Sequence, residues 1–336
     1  MLTDRSFAYL CALLRLAVDA SCKHIHGQIL TQEEWRKVYH LSQKHAVTGV
    51  AWEGVECMQQ HSPEQVQSLP PDLLGKWFAD TQTIRSANRC MAEQAANVLR
   101  ILRAGGFDAQ IIKGSELAAF YPEPSLRLAA DIDVWVLPNA NIGNNPSDLR
   151  RALLAYLQQQ PDIQIGEVVY HHIETTFYGT EVELHITPTW LYNPLYNSRL
   201  QQTFARERHL SPELLELYTL LHAFRHLYHD GLALRHVLDY YLVAAANRKA
   251  GVPVPDTMYE QLGLSSFARA IGEVTAYCLG GCADDESTMC AKARHILAAL
   301  PQRRVSKTIH RDYPQETFFR FPWRTVHHMW RKVNRY

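Results

Sequence analysis

The chain has 336 residues, 47% of them hydrophobic, with 34 basic and 34 acidic side chains. That length suggests about two domains and permits a large core without disulfides or structural metal, and the apolar fraction excludes extensive disorder and collagen-like repeats. A net charge of zero argues against a generic nucleic-acid coat while leaving a local patch open.

Phe7 to Val18 is apolar, but Arg15 interrupts it and Asp4 precedes it, so it reads as an amphipathic helix rather than a signal peptide. Nowhere do about 18 uncharged apolar residues run together, and no transmembrane helix is expected. The seven cysteines, Cys11, Cys22, Cys57, Cys90, Cys278, Cys282 and Cys290, contain no C-x-x-C pair. They read as free thiols in a reducing compartment, and a cytoplasmic location is expected.

Thr31-Gln-Glu-Glu34 is a capping box that opens a helix to about His45. Ser62-Pro63 and Pro70-Pro71-Asp72 are further helix starts. A long helix is expected from Asp72 to Arg103, ended by Gly105-Gly106. Ala109 to Ile112 then reads as a buried strand, and Ala130 to Val136 alternates with the period of two of a strand. A helix is expected from Pro146 to Gln160. Strands are expected at Ile163 to Val169, His171 to Phe177 and Glu181 to Ile186, with Gly179-Thr180 turning the last two into a hairpin. Ser211-Pro212-Glu213 opens a helix to about His229. Gly231 breaks it, and helices follow at Leu232 to Asn247, Ser265 to Cys278 and Thr288 to Leu300. From residue 303 to the end, nine Lys/Arg face two acids. The expected fold is therefore α+β: an N-terminal helical region (1–104), a compact core with a mixed or antiparallel sheet (105–195), a C-terminal helical region (196–302) and a basic aromatic tail (303–336).

Three features of the core carry chemistry. Lys113-Gly114-Ser115 lies where a strand gives way to a helix, a place whose free backbone amides suit a phosphate. In Asp131-Ile132-Asp133 the two carboxylates are two residues apart, so in a strand they share a face. Like charges so close need compensation, which a divalent cation with oxygen ligands supplies; the alternative is a solvated strand face. In Val182-Glu183-Leu184-His185, Glu183 and His185 share one face and the apolar residues the other. A third carboxylate is what a two-metal phosphoryl-transfer site needs, and the alternative is a solvated edge residue.

Together these strings resemble the DNA polymerase beta-like nucleotidyltransferase superfamily. The longer pattern Ile111-Ile-Lys-Gly-Ser-Glu-Leu, Tyr121-Pro-Glu-Pro, Arg127, Asp131-Ile-Asp-Val134 and Val182-Glu-Leu-His185 resembles its uncharacterised bacterial nucleotidyltransferase family, over about residues 30 to 245. The resemblance implies transfer of a nucleoside monophosphate from a nucleoside triphosphate to an acceptor hydroxyl, with pyrophosphate leaving. By the same resemblance, Gly114 and Ser115 hold the β- and γ-phosphates, Asp131 and Asp133 ligate two Mg²⁺ (or Mn²⁺), and Glu183 completes the metal near the attacking hydroxyl. Lys113 and Arg127, inside the matching string, are the basic candidates for the triphosphate or the leaving group, with a salt bridge to Glu116 or Glu123 as the alternative. His185 is a possible accessory group. Fifteen residues separate Ser115 from Asp131, a gap this branch fills with the Tyr-Pro-x-Pro and Arg segment.

His171 and His172, adjacent in a strand, are expected to face opposite ways. His222, His226 and His229 fall on one helix face and, with Arg225, Arg235 and Asp239, are expected to form a polar cluster against the core. The tail interleaves its basic residues with Tyr313, Phe318, Phe319, Phe321, Trp323, Trp330 and Tyr336. It either docks back on the fold or meets an anionic partner. Two other readings of the whole chain remain at this stage: a non-catalytic nucleotide-binding protein on the same fold, and a nucleic-acid- or membrane-associated module driven by the tail. The acceptor stays unnamed.

Overall fold

The structure is a computed structural model that describes residues 4–19, 29–138, 145–280, 288–303, 305–320 and 322. Cys22, Cys282, Phe321, Trp323, Trp330 and Tyr336 lie outside the described residues.

The N-terminal helices follow from their caps. α1 (Arg5–Val18) starts on Asp4, which accepts the Ser6 amide. α2 (Gln32–Lys44) starts on the full Thr31/Glu34 capping box. α3 (Thr48–His61) packs on α1. α4 (Pro71–Ala104) has proline at its first turn and stops at Gly105, with Gly106 at positive φ. The described cysteines, Cys11, Cys57, Cys90, Cys278 and Cys290, are free thiols.

The core holds one five-stranded sheet in the order β1-β2-β5-β4-β3. Its strands are β1 (Asp108–Ile111), β2 (Ile132–Leu137), β3 (Ile163–Val168), β4 (His172–Phe177) and β5 (Thr180–His185). β2 and β5 run parallel and the other pairs antiparallel, so the sheet is mixed. The one-turn helix α5 (Ser115–Ala118) and a 3₁₀ turn, Pro124–Leu126, lie between β1 and β2. α6 (Pro146–Leu157) lies between β2 and β3. The β4–β5 hairpin turns at Tyr178-Gly179, one residue earlier than the sequence suggests. Both have positive φ, as a type I′ turn requires, and Phe177 pairs with Thr180.

The two faces of the sheet have different partners. Ile132, Val134, Val136, Ile173, Val182 and Leu184 pack against α6 and the C-terminal half of α4 in one apolar cluster. The opposite face carries Asp133, Trp135, Glu183 and His185. Trp135 and Leu137 there join a larger cluster that also contains residues of α1 to α3 and of the C-terminal helices. Those helices are α7 (Pro194–Glu207), α8 (Pro212–His229), α9 (Leu234–Ala250), α10 (Asp256–Gln261), α11 (Ser265–Leu279), α12 (Ala291–Ala299) and α13 (Lys307–Asp312). Helices before and after the sheet thus share one core. The tail begins by docking into it: Ile309, Tyr313 and Glu316 are buried, while Phe318 is exposed. No described helix is long and apolar enough to cross a membrane.

Candidate active site

The parallel register of β2 and β5 sets Asp133 opposite Glu183. β4 continues the row, placing Glu174 opposite Glu183 and His172 opposite His185. Asp131 lies one residue before β2, at its entry. Its carboxylate still converges with that of Asp133, because both meet the Lys113 ammonium, at 3.2 and 2.8 Å. His185 Nε2 lies 3.0 Å from Asp133 Oδ1 and 3.3 Å from Glu183 Oε2. Asp131, Asp133, Glu183, Lys113 and His185 therefore form one constellation.

Burial works against the charge of Asp133, but Lys113 and then His185 outweigh it and hold the carboxyl well below its usual range. Burial likewise opposes the Lys113 charge, and Asp133 and Asp131 reverse that, so the ammonium is retained. His185, also disfavoured as a cation by burial, is pushed up to about 8 by its bonds to Asp133 and Glu183. For His172, burial and then the neighbouring His185 outweigh the pull of Glu183 and Asp133 and drop it to about 4.

Gly114 ends the β1 segment with φ +59° and ψ −112°, a conformation that favours glycine. α5 beyond it has one turn only, so backbone amides rather than a long helix dipole are what the Gly114-Ser115 turn offers an anion. Arg127 borders the recess beside the Gly114-Ser115 turn. Its guanidinium is buried and pairs with both oxygens of Asp239, at 2.7 and 2.8 Å, and reaches the Gly114 carbonyl at 3.3 Å. Tyr121 donates to the same Asp239 at 2.7 Å. The segment that separates Ser115 from Asp131 is therefore anchored on α9. Neither Glu116 nor Glu123 pairs with Lys113 or Arg127; Glu123 caps Ser125 instead.

A polar cleft of about 640 Å³ opens on the carboxylates and is walled by His172, Trp190, Tyr218, His222, Arg225 and His226, among others. An apolar recess of about 330 Å³ lies on the other side, beside Gly114, Ser115, Ala118 and Ala92. Lys113 and Asp131 border both. His171 and His172 line the same cleft, with ring centroids 4.4 Å apart, contrary to the strand-alternation argument. β4 begins only at His172, so His171 sits in a bend where alternation does not apply. The histidine face of α8 does pack against the core, with His222, His226 and His229 all on the cleft. Sequence reasoning missed Trp190 and the guanidinium of Arg225 stacked 4.1 Å from its ring centroid. Only an aromatic and a cation 35 positions apart signalled that pair.

A family model described as an uncharacterised nucleotidyltransferase matches residues 31–280, from α2 through α11. The chain belongs to this nucleotidyltransferase family. No curated protein and no solved structure gives a match. The matched region of the nucleotidyltransferase includes every residue of the constellation, and also α8, which walls the cleft.

Proposed function

We propose that the chain moves a nucleoside monophosphate from a nucleoside triphosphate to an acceptor hydroxyl and releases pyrophosphate, on a DNA polymerase beta-like core. The observation that carries this reading is the β2–β5 register, which sets Asp133 beside Glu183 while Lys113 ties Asp131 to Asp133.

The donor set fits divalent cations. Three carboxylates converge, and Asp133 Oδ2 is buried with no aligned hydrogen bond, its contact to Lys113 being an ion pair. Asp131, Asp133 and Glu183 would hold two Mg²⁺ or Mn²⁺ ions, which when bound draw charge from the triphosphate and acidify the acceptor hydroxyl. The chain's own groups divide the remaining work. The Gly114-Ser115 turn binds the β- and γ-phosphates through backbone amides and the serine hydroxyl. Lys113 steadies the negative charge that grows on departing pyrophosphate. Glu183 orients the acceptor hydroxyl and takes up its proton, and His185 keeps the Glu183 and Asp133 carboxylates aligned. Arg127 acts by holding the Gly114 carbonyl, and so positions the turn.

The test is to incubate the protein and Mg²⁺ with each α-labelled nucleoside triphosphate and cell extract, and to identify what becomes labelled. One acceptor should be labelled, and Asp131→Asn or Asp133→Asn should slow labelling on the order of 10²-fold or more with unchanged circular dichroism. Labelling at the wild-type rate in either variant refutes the assignment.

A further inference from the structure

Metal-binding chemistry in the cleft extends beyond its carboxylates. Four side chains from three neighbouring strands meet there: Asp133 on β2, Glu183 and His185 on β5, and His172 on β4. Donor atoms of His172, Glu183 and His185 all lie within 4.8 Å of one another. His185 Nε2 faces Asp133 Oδ1 and Glu183 Oε2, at 3.0 and 3.3 Å, and donates its proton to these carboxylates; an ion bound here would displace that proton and leave the ring neutral, protonated on Nδ1. His172 is 9% exposed, and neither of its ring nitrogens has a hydrogen bond. Its nearest polar neighbours are the carboxylates of Glu183 and Glu174, at 3.6 and 3.7 Å, beyond hydrogen-bonding range. A buried imidazole with both nitrogens unmatched is costly unless something else takes its lone pair.

We propose that Asp133, Glu183, His185 and His172 form one mixed oxygen–nitrogen site that selects a first-row transition-metal ion, such as Mn²⁺, over Mg²⁺. The proposal rests on the reading of Asp133 and Glu183 as metal ligands. Mg²⁺ demands hard oxygen donors and keeps much of its water, whereas imidazole nitrogen suits Fe²⁺, Ni²⁺ and Zn²⁺ best, and Mn²⁺, the weakest binder of the first-row series, accepts a mixed set of carboxylates and imidazoles. Two imidazoles beside two carboxylates therefore shift selectivity toward the transition metals. Lys113 meets Asp131 Oδ2 and Asp133 Oδ2, at 3.2 and 2.8 Å, while Asp133 Oδ1 faces His185 on the Glu183 side.

The other histidine cluster, His222, His226 and His236, lacks this chemistry. His236 Nδ1 accepts the Ala233 amide hydrogen, so the proton of the neutral ring sits on Nε2, the nitrogen that would have to bind the metal. His226 and His236 are also stacked at 4.0 Å, with their planes only 15° apart.

The experiment uses full-length protein stripped of metal by chelation and titrated with Mn²⁺ alone, followed by electron paramagnetic resonance. The spin-echo spectrum of bound Mn²⁺ should show nitrogen-14 modulation from directly ligated imidazole. A hundredfold excess of Mg²⁺ should leave most of the Mn²⁺ in place. His172→Gln should weaken Mn²⁺ binding on the order of tenfold while leaving Mg²⁺ affinity unchanged, and His185→Gln should weaken Mn²⁺ binding by more than it weakens Mg²⁺ binding. Bound Mn²⁺ without nitrogen modulation, or ready displacement by Mg²⁺, overturns the mixed-ligand site but leaves the carboxylate reading intact. Failure to bind either ion, or binding that is indifferent to Asp133→Asn, overturns both.

Discussion

Glu181 and Glu183 lie on the same face of β5, two residues apart, and differ in what stands beside them. The β2 pairing begins at Val182, so Glu183 is flanked by Asp133 on one side and Glu174 on the other, whereas Glu181 meets only Thr176 of β4 and is exposed. Glu183→Gln is expected to slow nucleotidyl transfer on the order of 10²-fold while sparing triphosphate binding, because its charge serves the acceptor side. Glu181→Gln is expected to stay within about 0.5 kcal/mol of wild type in stability and to leave turnover unchanged. Single-turnover rates and triphosphate affinities of the two variants decide it; a dead Glu181 variant beside an active Glu183 variant moves the third carboxylate. Gly114 makes a second distinction at this scale. An added Cβ would meet nothing closer than the Asp131 carbonyl oxygen at 3.8 Å, so space is available. The obstacle is the backbone conformation, which costs a residue with a side chain about 1–3 kcal/mol. Gly114→Ala should therefore weaken triphosphate binding nearly as much as Gly114→Val, and Ser115→Ala much less than either. Isothermal titration with a non-hydrolysable triphosphate measures the order, and a harmless Gly114→Ala would place the phosphates elsewhere.

At the scale of elements, the link that fixes the phosphate turn is the bidentate pair between Arg127, after the Pro124–Leu126 turn, and Asp239 in α9. Both side chains are 3% exposed, so truncating one strands a buried charge. Arg127→Met should cost about 3–5 kcal/mol, and pairing it with Asp239→Leu should recover much of that loss. Arg127→Lys should recover little, because an ammonium cannot match both carboxylate oxygens. Urea unfolding of Arg127→Met, Asp239→Leu, their double variant and Arg127→Lys tests the pair, and additive losses in the double variant would refute it. This contact also marks where sequence reasoning stops. α2, α4 and α8 were legible because their caps are local: a Thr/Glu box, a proline at the first turn, a glycine after the last. β2 and β5 were legible because apolar and acidic residues alternate along them. The role of Arg127 was not legible, since its partner lies 112 residues away and only the fold joins them. The shared orientation of His171 and His172 was hidden for a related reason: strand alternation holds only inside a strand, and nothing in Tyr170-His171-His172 shows where β4 starts.

The whole molecule carries an unusual load of buried neutral imidazoles, and this sets its response to acid. Burial holds His45, His172 and His226 down to about 4, and keeps His222 and His236 well below the ordinary value. Two of them also depend on being neutral for their bonds: His45 Nδ1 accepts the Leu234 amide and His236 Nδ1 the Ala233 amide, both at the start of α9. His222, His226 and His236 touch one another, with ring centroids 4.0 to 5.1 Å apart, so charging one raises the cost of charging the next. A histidine whose folded-state value is depressed binds its proton more readily when unfolded. Its contribution is complete above the unfolded value of 6.5 and is lost as pH falls toward its folded value, by up to about 1.4 kcal/mol per unit for each group. His185 runs the other way: raised to about 8, it stabilises below 6.5 and loses that contribution as pH rises through 8. One group opposes five, so the acid side dominates, and stability should be greatest between about pH 6.5 and 8 and fall steeply from 6.5 toward 4.5. Urea unfolding midpoints at pH 5.0 and 7.5 should differ clearly, with the lower at pH 5.0, and His222→Gln should narrow the gap by removing one member of the touching trio. Equal midpoints at the two pH values would mean that these imidazoles are hydrated or charged in the folded protein.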